Sequence, residues 1–392
     1  MNKSNEFFMK LKKFKINGKT IVTPRKVISS NIEKTSESLV IKDQEIKGIN
    51  EIYSKRVDKS KLSSMKQYAE IERETLNSIL KPVESSHNPT DINYFLLNYD
   101  SRTETEKKAK NRTSSIPNTD EIEYLLDILN HRYNDFIVTP LMPYLNGEQY
   151  ISFLRTFFEL NSSFRDRTIA GLIPSKLNRE EQMGILDYYI SKGCKIFIYD
   201  LYGSSPDRHY TSINLILRRA MLYEQNIHEK LFFMATNVRF GRPHRDTPVA
   251  PAKDLLSFYS GFDCFGKAHV QKIVFDIGTG GRPPRNEPRI PRLLNIDDYG
   301  YHISQNHEIE NSRLNYEQLN VINRIEIGLG QNDKICNILN CVEQGLEARR
   351  IRNILSRNER LSLYLANKKE IPGKYVEELS ELYHSGHQLT LF

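Results

Sequence analysis

Short apolar runs alternate with amphipathic stretches over most of the chain. INYFLLNYDS reads as a buried strand closing on Asp100 and Ser101. TDEIEYLLDILNHRY repeats apolar residues at helical spacing behind a Thr/Asp cap, NDFIVTPLMP is strand-like, and NGEQYISFLRTFFELNSS is again helical. The alternation continues through the strand RTIAGLIP, the helix NREEQMGILDYYISKG, the strand CKIFIYDLYG, the helix TSINLILRRAMLYEQN and the strand KLFFMATNV. A loop, FGRPHRDTPVA, then leads to the helix PAKDLLSFYSG and the strand KIVFDIG. Continuously apolar strands separated by helices indicate parallel βαβ units, because a parallel neighbour needs a long crossover and the crossovers cover both faces of the sheet.

Six or seven such strands lie between Ile92 and Gly278, with Thr20 to Thr23 a further one, which favours closure into a barrel over an open sheet. The expected architecture is an α/β fold, a decorated (β/α)8 TIM-like barrel over residues 1–292, with an added, mostly helical and basic C-terminal region over 293–392. KFKINGKTIVTP predicts a hairpin turning on Asn17-Gly18. From about 30 to 90 the chain is polar and charged, with SKLSSMKQYAEIERETLNSIL helical, and reads as an insertion. The charged run RTETEKKAKNRTSS predicts a solvated loop or lid. Helices around Ile335 to Ala366 carry Arg349, Arg350, Arg352, Arg357 and Arg360.

Charge changes the picture more than overall composition does. The formal net charge is +7, and the segment Arg239 to Arg292 holds ten Lys or Arg against five Asp or Glu, a local excess of five. That segment is a candidate footprint for phosphates. The four cysteines, Cys194, Cys264, Cys336 and Cys341, form no CxxC pair, which points away from a disulfide framework or a zinc ribbon and towards a reducing compartment. No run approaches the roughly 20 apolar residues of a membrane span, and MNKSNEFFMKLKKFK lacks the apolar centre of a leader peptide. A cytoplasmic protein with no membrane partner is expected.

In parallel barrels the chemistry gathers at the carboxyl ends of the strands. Asp100, Asp200 and Asp276 each close an apolar run, and Asp263 lies nearby in GFDCFG. Several carboxylates at one mouth suit acid/base or nucleophilic work on a glycosidic bond, although singly such a carboxylate is more often a helix cap or an ion-pair partner. Leu201-Tyr202-Gly203-Ser204-Ser205 offers backbone N–H groups to a ligand. Arg282, Arg285, Arg289 and Arg292 recur among prolines that prevent a helix, an extended arrangement fit for successive phosphates or for internal ion pairs. His244, His302 and His307 have no partner residues at metal-ligand spacing, so no metal is expected.

The order of these elements resembles the tRNA-guanine transglycosylase family, including its divergent DpdA-like branch that works on DNA. KTIVTPRKVISSN resembles the family's opening strand and NYFLLNYDS the strand ending in its acid/base aspartate. IAGLIPS stands where the family has VQGG, and IFIYDLYGSS where it has GGLAVGE. KLFFMATNV and PAKDLLSFYSGFDCFG resemble YLMGVG, the PEDLL helix and GVDMFDC. The resemblance covers roughly Thr20 to Gly266. It implies exchange of guanine for a 7-deazaguanine base such as preQ0 through a covalent aspartate intermediate, with Asp100 as general acid/base and Asp263 as nucleophile. Ser101, Asp200, Leu201, Tyr202 and Gly203 would hold the base.

Counted from Pro251 without a gap, however, Asp263 matches the earlier aspartate of GVDMFDC and Gly266 its nucleophile. A two-residue gap restores Asp263, and Asp276 is the alternative. Asp100-Ser101 is followed by Arg102 where the family has Gly-Gly-Phe-Gln. The family's CxCxxC…His zinc site has no counterpart, so no cofactor is expected and DNA is favoured over tRNA as the polymer. Arg239, Arg242, Arg245, Arg282, Arg285, Arg289 and Arg292 would grip it. A DNA-modifying pathway would add partner proteins. A barrel that binds nucleic acid without catalysis is the competing reading.

Overall fold

In a computed structural model, residues 7–29, 48–54, 56–60, 62, 69–108, 115–164, 167–243, 249–269, 292–303 and 329–388 are described. The expected hairpin is present as β1 (Lys12–Ile16) and β2 (Lys19–Thr23), paired antiparallel. Asn17 and Gly18 have φ of 48° and 80°, the left-handed pair that a tight hairpin turn needs and that Asn-Gly adopts at low steric cost. Thr20 to Thr23 therefore belongs to the hairpin. The parallel strand expected there follows it, as β3 (Arg25–Lys26) and β4 (Ile28–Ser29).

The region read as an insertion contributes strands as well as a helix: β5 (Ile49–Tyr53), β6 (Val57–Asp58) and α1 (Ala69–Ser86). After β7 (Ile92–Leu96), β8 (Tyr99–Asp100) and α2 (Glu104–Lys108) come α3 (Thr119–Leu129), β9 (Ile137–Val138), α4 (Gly147–Phe164), β10 (Ile169–Pro174), α5 (Arg179–Ser191), β11 (Ile196–Ser204), α6 (Tyr210–Ile227) and β12 (Phe232–Val238). The cap of α3 is Asn118 and not the expected Thr/Asp. Its side chain accepts from Glu121 N at 2.8 Å while the Glu121 carboxylate accepts from Asn118 N at 3.1 Å, a reciprocal box that satisfies two donors at the helix start. Asn178 and Glu181 build the same box at α5.

Six strands pair in parallel in the order β3-β14-β12-β11-β10-β9, where β13 is Ala250–Pro251, α7 is Leu256–Tyr259 and β14 is Cys264–Lys267. Three more pair in parallel as β4-β5-β7. Only Val27 separates β3 from β4, and its N–H donates to Phe265 O at 3.0 Å. On the other side, Asp135 N donates to Asn93 O (2.8 Å), Leu141 N to Leu97 O (2.8 Å) and Tyr99 N to Leu141 O (2.9 Å). The chain is thus mixed α/β with parallel pairing throughout both sheets. KIVFDIG lies outside the described residues, and β14 stands between β12 and the edge strand β3.

Strand alternation sorts the core into two clusters. Ile49, Ile92, Tyr94, Leu96, Ala170, Leu172, Ile196, Ile198, Phe232, Met234 and Cys264 pack together on one face of the strands. Their sequence neighbours, among them Phe95, Ile173, Phe197, Tyr199, Phe233 and Phe265, join helix residues such as Leu154, Leu186 and Ile213 in the other. The period of two makes neighbours face opposite sides, so a continuous apolar run serves both clusters at once.

The C-terminal region begins as a hairpin, β15 (Arg292–Asn295) and β16 (Gly300–Ile303), and β16 also pairs with β13. Helices α8 (Leu329–Ser356), α9 (Leu361–Ala366) and α10 (Gly373–Gln388) follow, with α8 against β3 and β15. Arg352, one of the arginines of the basic C-terminal helices, donates to Pro24 O at 2.6 Å. Among the described residues no helix is long and apolar enough to cross a membrane.

One close approach tests this packing. A Cβ on Gly171 of β10 would lie 2.6 Å from the buried Tyr189 ring of α5. Gly171→Ala is expected to lower stability by about 1–3 kcal/mol, because neither strand nor ring can yield without opening the layer. Urea unfolding midpoints check this, and an unchanged midpoint would refute it.

Candidate functional site

Above the apolar layer the same strand faces turn polar. Two residues beyond Ile49, Ile198, Met234 and Cys264 stand Glu51, Asp200, Thr236 and Gly266, all on the face that carries the enclosed cluster. Because the pairing is parallel, they emerge towards one edge, the carboxyl ends of the strands.

Glu51 is fully buried. Its Oε2 accepts from Tyr94 Oη at 2.7 Å and Thr236 Oγ1 at 2.6 Å, and its Oε1 meets His269 Nε2 at 2.5 Å. Burial acts against its charge, but His269 and the two hydroxyls outweigh it and hold the carboxyl below its usual range. The His269 ring stacks on Tyr53 with centroids 4.4 Å apart and planes 6° apart. His269 N donates to Asn237 Oδ1 at 3.0 Å, while Asn237 Nδ2 donates to Asp200 Oδ1 at 2.7 Å. One hydrogen-bonded path thus runs from Glu51 to Asp200.

Asp200 is buried and also accepts from Tyr202 N at 3.0 Å. Burial lifts its pKa to about 6 in spite of these bonds and of the Lys176 ammonium. Tyr202 and Gly203 have φ of 50° and 71°, and the register of β11 against β12 shifts between Asp200 and Ser204. Gly203 supplies the second left-handed residue of this bulge at no steric penalty. The tyrosine ring is thereby turned to the edge, where Lys176 Nζ lies 3.6 Å from its centroid. The surroundings lower the lysine to about 8, burial acting first and Asp200 opposing it. Of the residues expected to hold a base, Leu201 points the other way, into the cluster under the helices. Ser101 is buried beside Asp100.

Asp100 is fully buried at the end of β8 and forms ion pairs with Arg56 and Arg102. Arg102 reaches Oδ1 through Nε at 3.1 Å and Oδ2 through its terminal nitrogen at 3.2 Å, and Arg56 also donates to Oδ2. The expected general acid/base thus has both oxygens occupied by guanidinium donors. Both arginines lie over Tyr144, at 5.0 and 3.5 Å from its ring centroid, and Lys176 is 5.8 Å from the same ring. Tyr144, Lys176 and Tyr202 connect the Asp100 clamp to Asp200 as a row of cations and aromatic faces.

Asp263, the expected nucleophile, is not brought to this edge. It precedes β14 and is level with Phe233, whose N–H donates to its Oδ2 at 2.9 Å. Asp200 is level with Thr236, three positions further along β12, or about 10 Å at the usual rise of a strand. Asp263 also pairs with Lys12 at 3.1 Å and accepts from Thr23 Oγ1 at 3.2 Å, partners from the hairpin at the amino-terminal side. Gly266, on β14, instead faces the site. A Cβ on Gly266 would stand 2.6 Å from Glu51 Oε1.

Asp276, Arg245, Arg282, Arg285, Arg289, His244 and His307 lie outside the described residues. The structure brings Arg239, Arg242 and Arg292 together. With Lys26 and Lys267 they line a cavity of about 450 Å³ between the ends of β12 and β14, the β16 edge and α8. Asp254 supplies the carboxylate of its lining, held by Tyr301 Oη and Gln344 Nε2, both at 2.7 Å. His302 is paired with Asp298 at 2.8 Å.

Glu51, Tyr53, Arg56, Tyr144, Lys176, Asn237 and His269 were not singled out from sequence. A charged residue inside the apolar run INEIY was the one available signal for Glu51. Tyr53 and Asn237 close strands and the others lie in loops, and nothing in the sequence marks them until the strand ends bring them together.

No protein-family model and no curated protein matches the sequence. Among solved structures 74 chains match. One is a pyruvate carboxylase variant from Rhizobium etli crystallized without acetyl coenzyme-A, 11% identical, with a TM-score of 0.33 over 83% of this chain and 28% of that one. The chain therefore spans little more than a quarter of that protein's length, and a likeness at this TM-score carries no functional argument.

The raised Asp200 carboxyl has a stability consequence. Its pKa of about 6 exceeds the unfolded value of about 3.9, so the folded state binds the proton more tightly and charging it at neutral pH destabilises the fold. Asn keeps an acceptor for Tyr202 N and Asn237. Asp200→Asn is therefore expected to be about 3 kcal/mol more stable than the parent at pH 7, with the difference vanishing below about pH 4. Urea midpoints across that range test this, and a difference independent of pH would contradict it.

Proposed function

We propose that this chain is a guanine transglycosylase-like pentosyltransferase that exchanges guanine in DNA for a 7-deazaguanine base, preQ0-like, without cutting the strand. The observation that carries this reading is the gathering of Asp200, Glu51 and Asp100 at one edge of the parallel strands, beside the Tyr202-Gly203 bulge. The finer architecture belongs to the same proposal: a decorated (β/α)8 barrel, with β3 and β4 together forming one strand. Its support is the Val27 bond to Phe265, the bonds between 93–99 and 135–141, and an apolar cluster that draws on strands of both sheets.

Asp200 is the acid/base in this reading. A carboxyl near neutrality gives a proton to the departing guanine and takes one from the incoming base at comparable cost. Asp100 holds Arg56 and Arg102 over Tyr144, a cation and aromatic surface suited to a base or a sugar-phosphate backbone. Arg239, Arg242 and Arg292 take backbone phosphates. DNA is preferred to tRNA because the tRNA enzymes' zinc motif has no counterpart here. The four free, buried cysteines suit a reducing compartment such as the cytoplasm.

Incubation with guanine-labelled duplex DNA and a 7-deazaguanine is expected to release label only when both polymer and protein are present. Asp200→Asn should slow release by about 10²- to 10⁴-fold. Release from labelled tRNA in place of DNA would move the substrate assignment, and release from neither polymer would sink the reading. Binding itself gives an independent measurement. Each Ala substitution at Arg239, Arg242 or Arg292 should weaken DNA binding and flatten the log K against log salt slope by about 0.9. An unchanged slope would remove these residues from the interface.

A further inference from the structure

We propose that Glu51 is the catalytic nucleophile, a carboxylate delivered from β5 to the place that the ungapped register assigns to Gly266 on β14. The inference rests on the transglycosylase reading and names the residue that the misplaced Asp263 leaves unassigned.

Three observations carry it. First, Gly266 faces the site and has no side chain, and the space a Cβ would take is filled by the Glu51 carboxylate, with Oε1 2.6 Å and Oε2 2.8 Å from that point. The position is thus occupied by a carboxylate of the neighbouring sheet. Secondly, the two oxygens of Glu51 are held unequally. Oε2 is anchored by the hydroxyls of Tyr94 and Thr236, both on β-strands, whereas Oε1 faces a loop side chain, His269. Displacement of that one imidazole by a substrate frees Oε1 while Oε2 stays fixed. The same displacement clears the face of Tyr53, on which the flat imidazole now stacks, for a heterocyclic base. Thirdly, Glu51 and Asp200 share the Asn237–His269 path yet are pushed in opposite directions, Glu51 towards the anion and Asp200 towards the protonated acid. Double displacement needs that division of roles.

The chemistry balances on these two groups. Glu51 Oε1 attacks C1′ of the nucleotide, the C1′–N9 bond breaks, and its electron pair leaves with guanine, which takes the proton of Asp200. The glycosyl ester on Glu51 is then attacked at C1′ by N9 of the 7-deazaguanine. Asp200 accepts the N9 proton, and the Glu51 carboxylate is expelled unchanged.

The test is a single-turnover reaction of the full chain with guanine-labelled duplex DNA and no incoming base, quenched in denaturant. The wild-type protein should retain DNA covalently, and peptide mapping should place the adduct on Glu51. Glu51→Gln should keep the hydroxyl contacts and the melting temperature but lose the adduct, with exchange falling by about 10³-fold or more. Gly266→Ala, whose new methyl group meets the Glu51 carboxylate, should lower exchange without touching Asp200. Asp263→Asn should lower the melting temperature while the folded fraction still forms the adduct. An adduct mapped to Asp276 or another aspartate, or retained by folded Glu51→Gln, overturns the assignment and leaves the base-exchange reading standing. Absence of guanine release by the wild-type protein from both DNA and tRNA removes that reading and this inference with it.

Discussion

Parallel strand pairing is the constraint on which the rest of the molecule depends. A strand that must lie parallel to its neighbour returns over the outside, so helices such as α4, α5 and α6 cover one face and every carboxyl end points the same way. The other face carries its own apolar cluster. Polar side chains one step above that cluster then have a single direction in which to emerge. Glu51, Asp200 and Thr236 meet there because strand direction and alternation leave them nowhere else to go.

The two ends of this assembly handle buried carboxylates differently. Asp263, at the amino-terminal side, is neutralised by Lys12 and tied to Thr23 and Phe233 N, which joins the N-terminal hairpin to β12 and β14. Such a pair fixes position. At the carboxyl-terminal side Glu51 has hydroxyl and imidazole partners, Asp200 has amide donors, and Asp100 alone is locked by guanidinium groups. Carboxylates without guanidinium partners remain available for chemistry, whereas one gripped by two arginines organises what surrounds it. Left-handed backbone at Tyr202 and Asn237 falls at this same end. Strain of this kind gathers where side chains must be aimed.

The C-terminal region extends the same edge. The β15-β16 hairpin joins β13, and α8 packs beside β3, so residues distant in sequence wall a basic cavity next to the ends of β12 and β14. Cations from strand ends, from the loop after β12 and from β15 converge there. The buried carboxylate network and this group of cations thus lie beside one another at the strand ends.

Local physics made much of the architecture legible. The repeating strands and helices from Ile92 onward, the Asn17-Gly18 hairpin and the helices after Ile335 follow from periodicity and turn chemistry, which act over a few residues and are written in order along the chain. Asp100 and Asp200 were legible for the same reason, as polar residues closing apolar runs. Strand β5 was hidden, because Asn50 and Glu51 interrupt its apolar pattern and their partners Asn93, Tyr94, Thr236 and His269 are far away in sequence. The end at which Asp263 would stand was hidden too, since one or two residues of register carry a side chain to another level or another face. Sequence by itself determined the elements and the class of fold. Only the tertiary structure decided which carboxylates share an edge, because that depends on pairing between strands that the chain does not place next to each other.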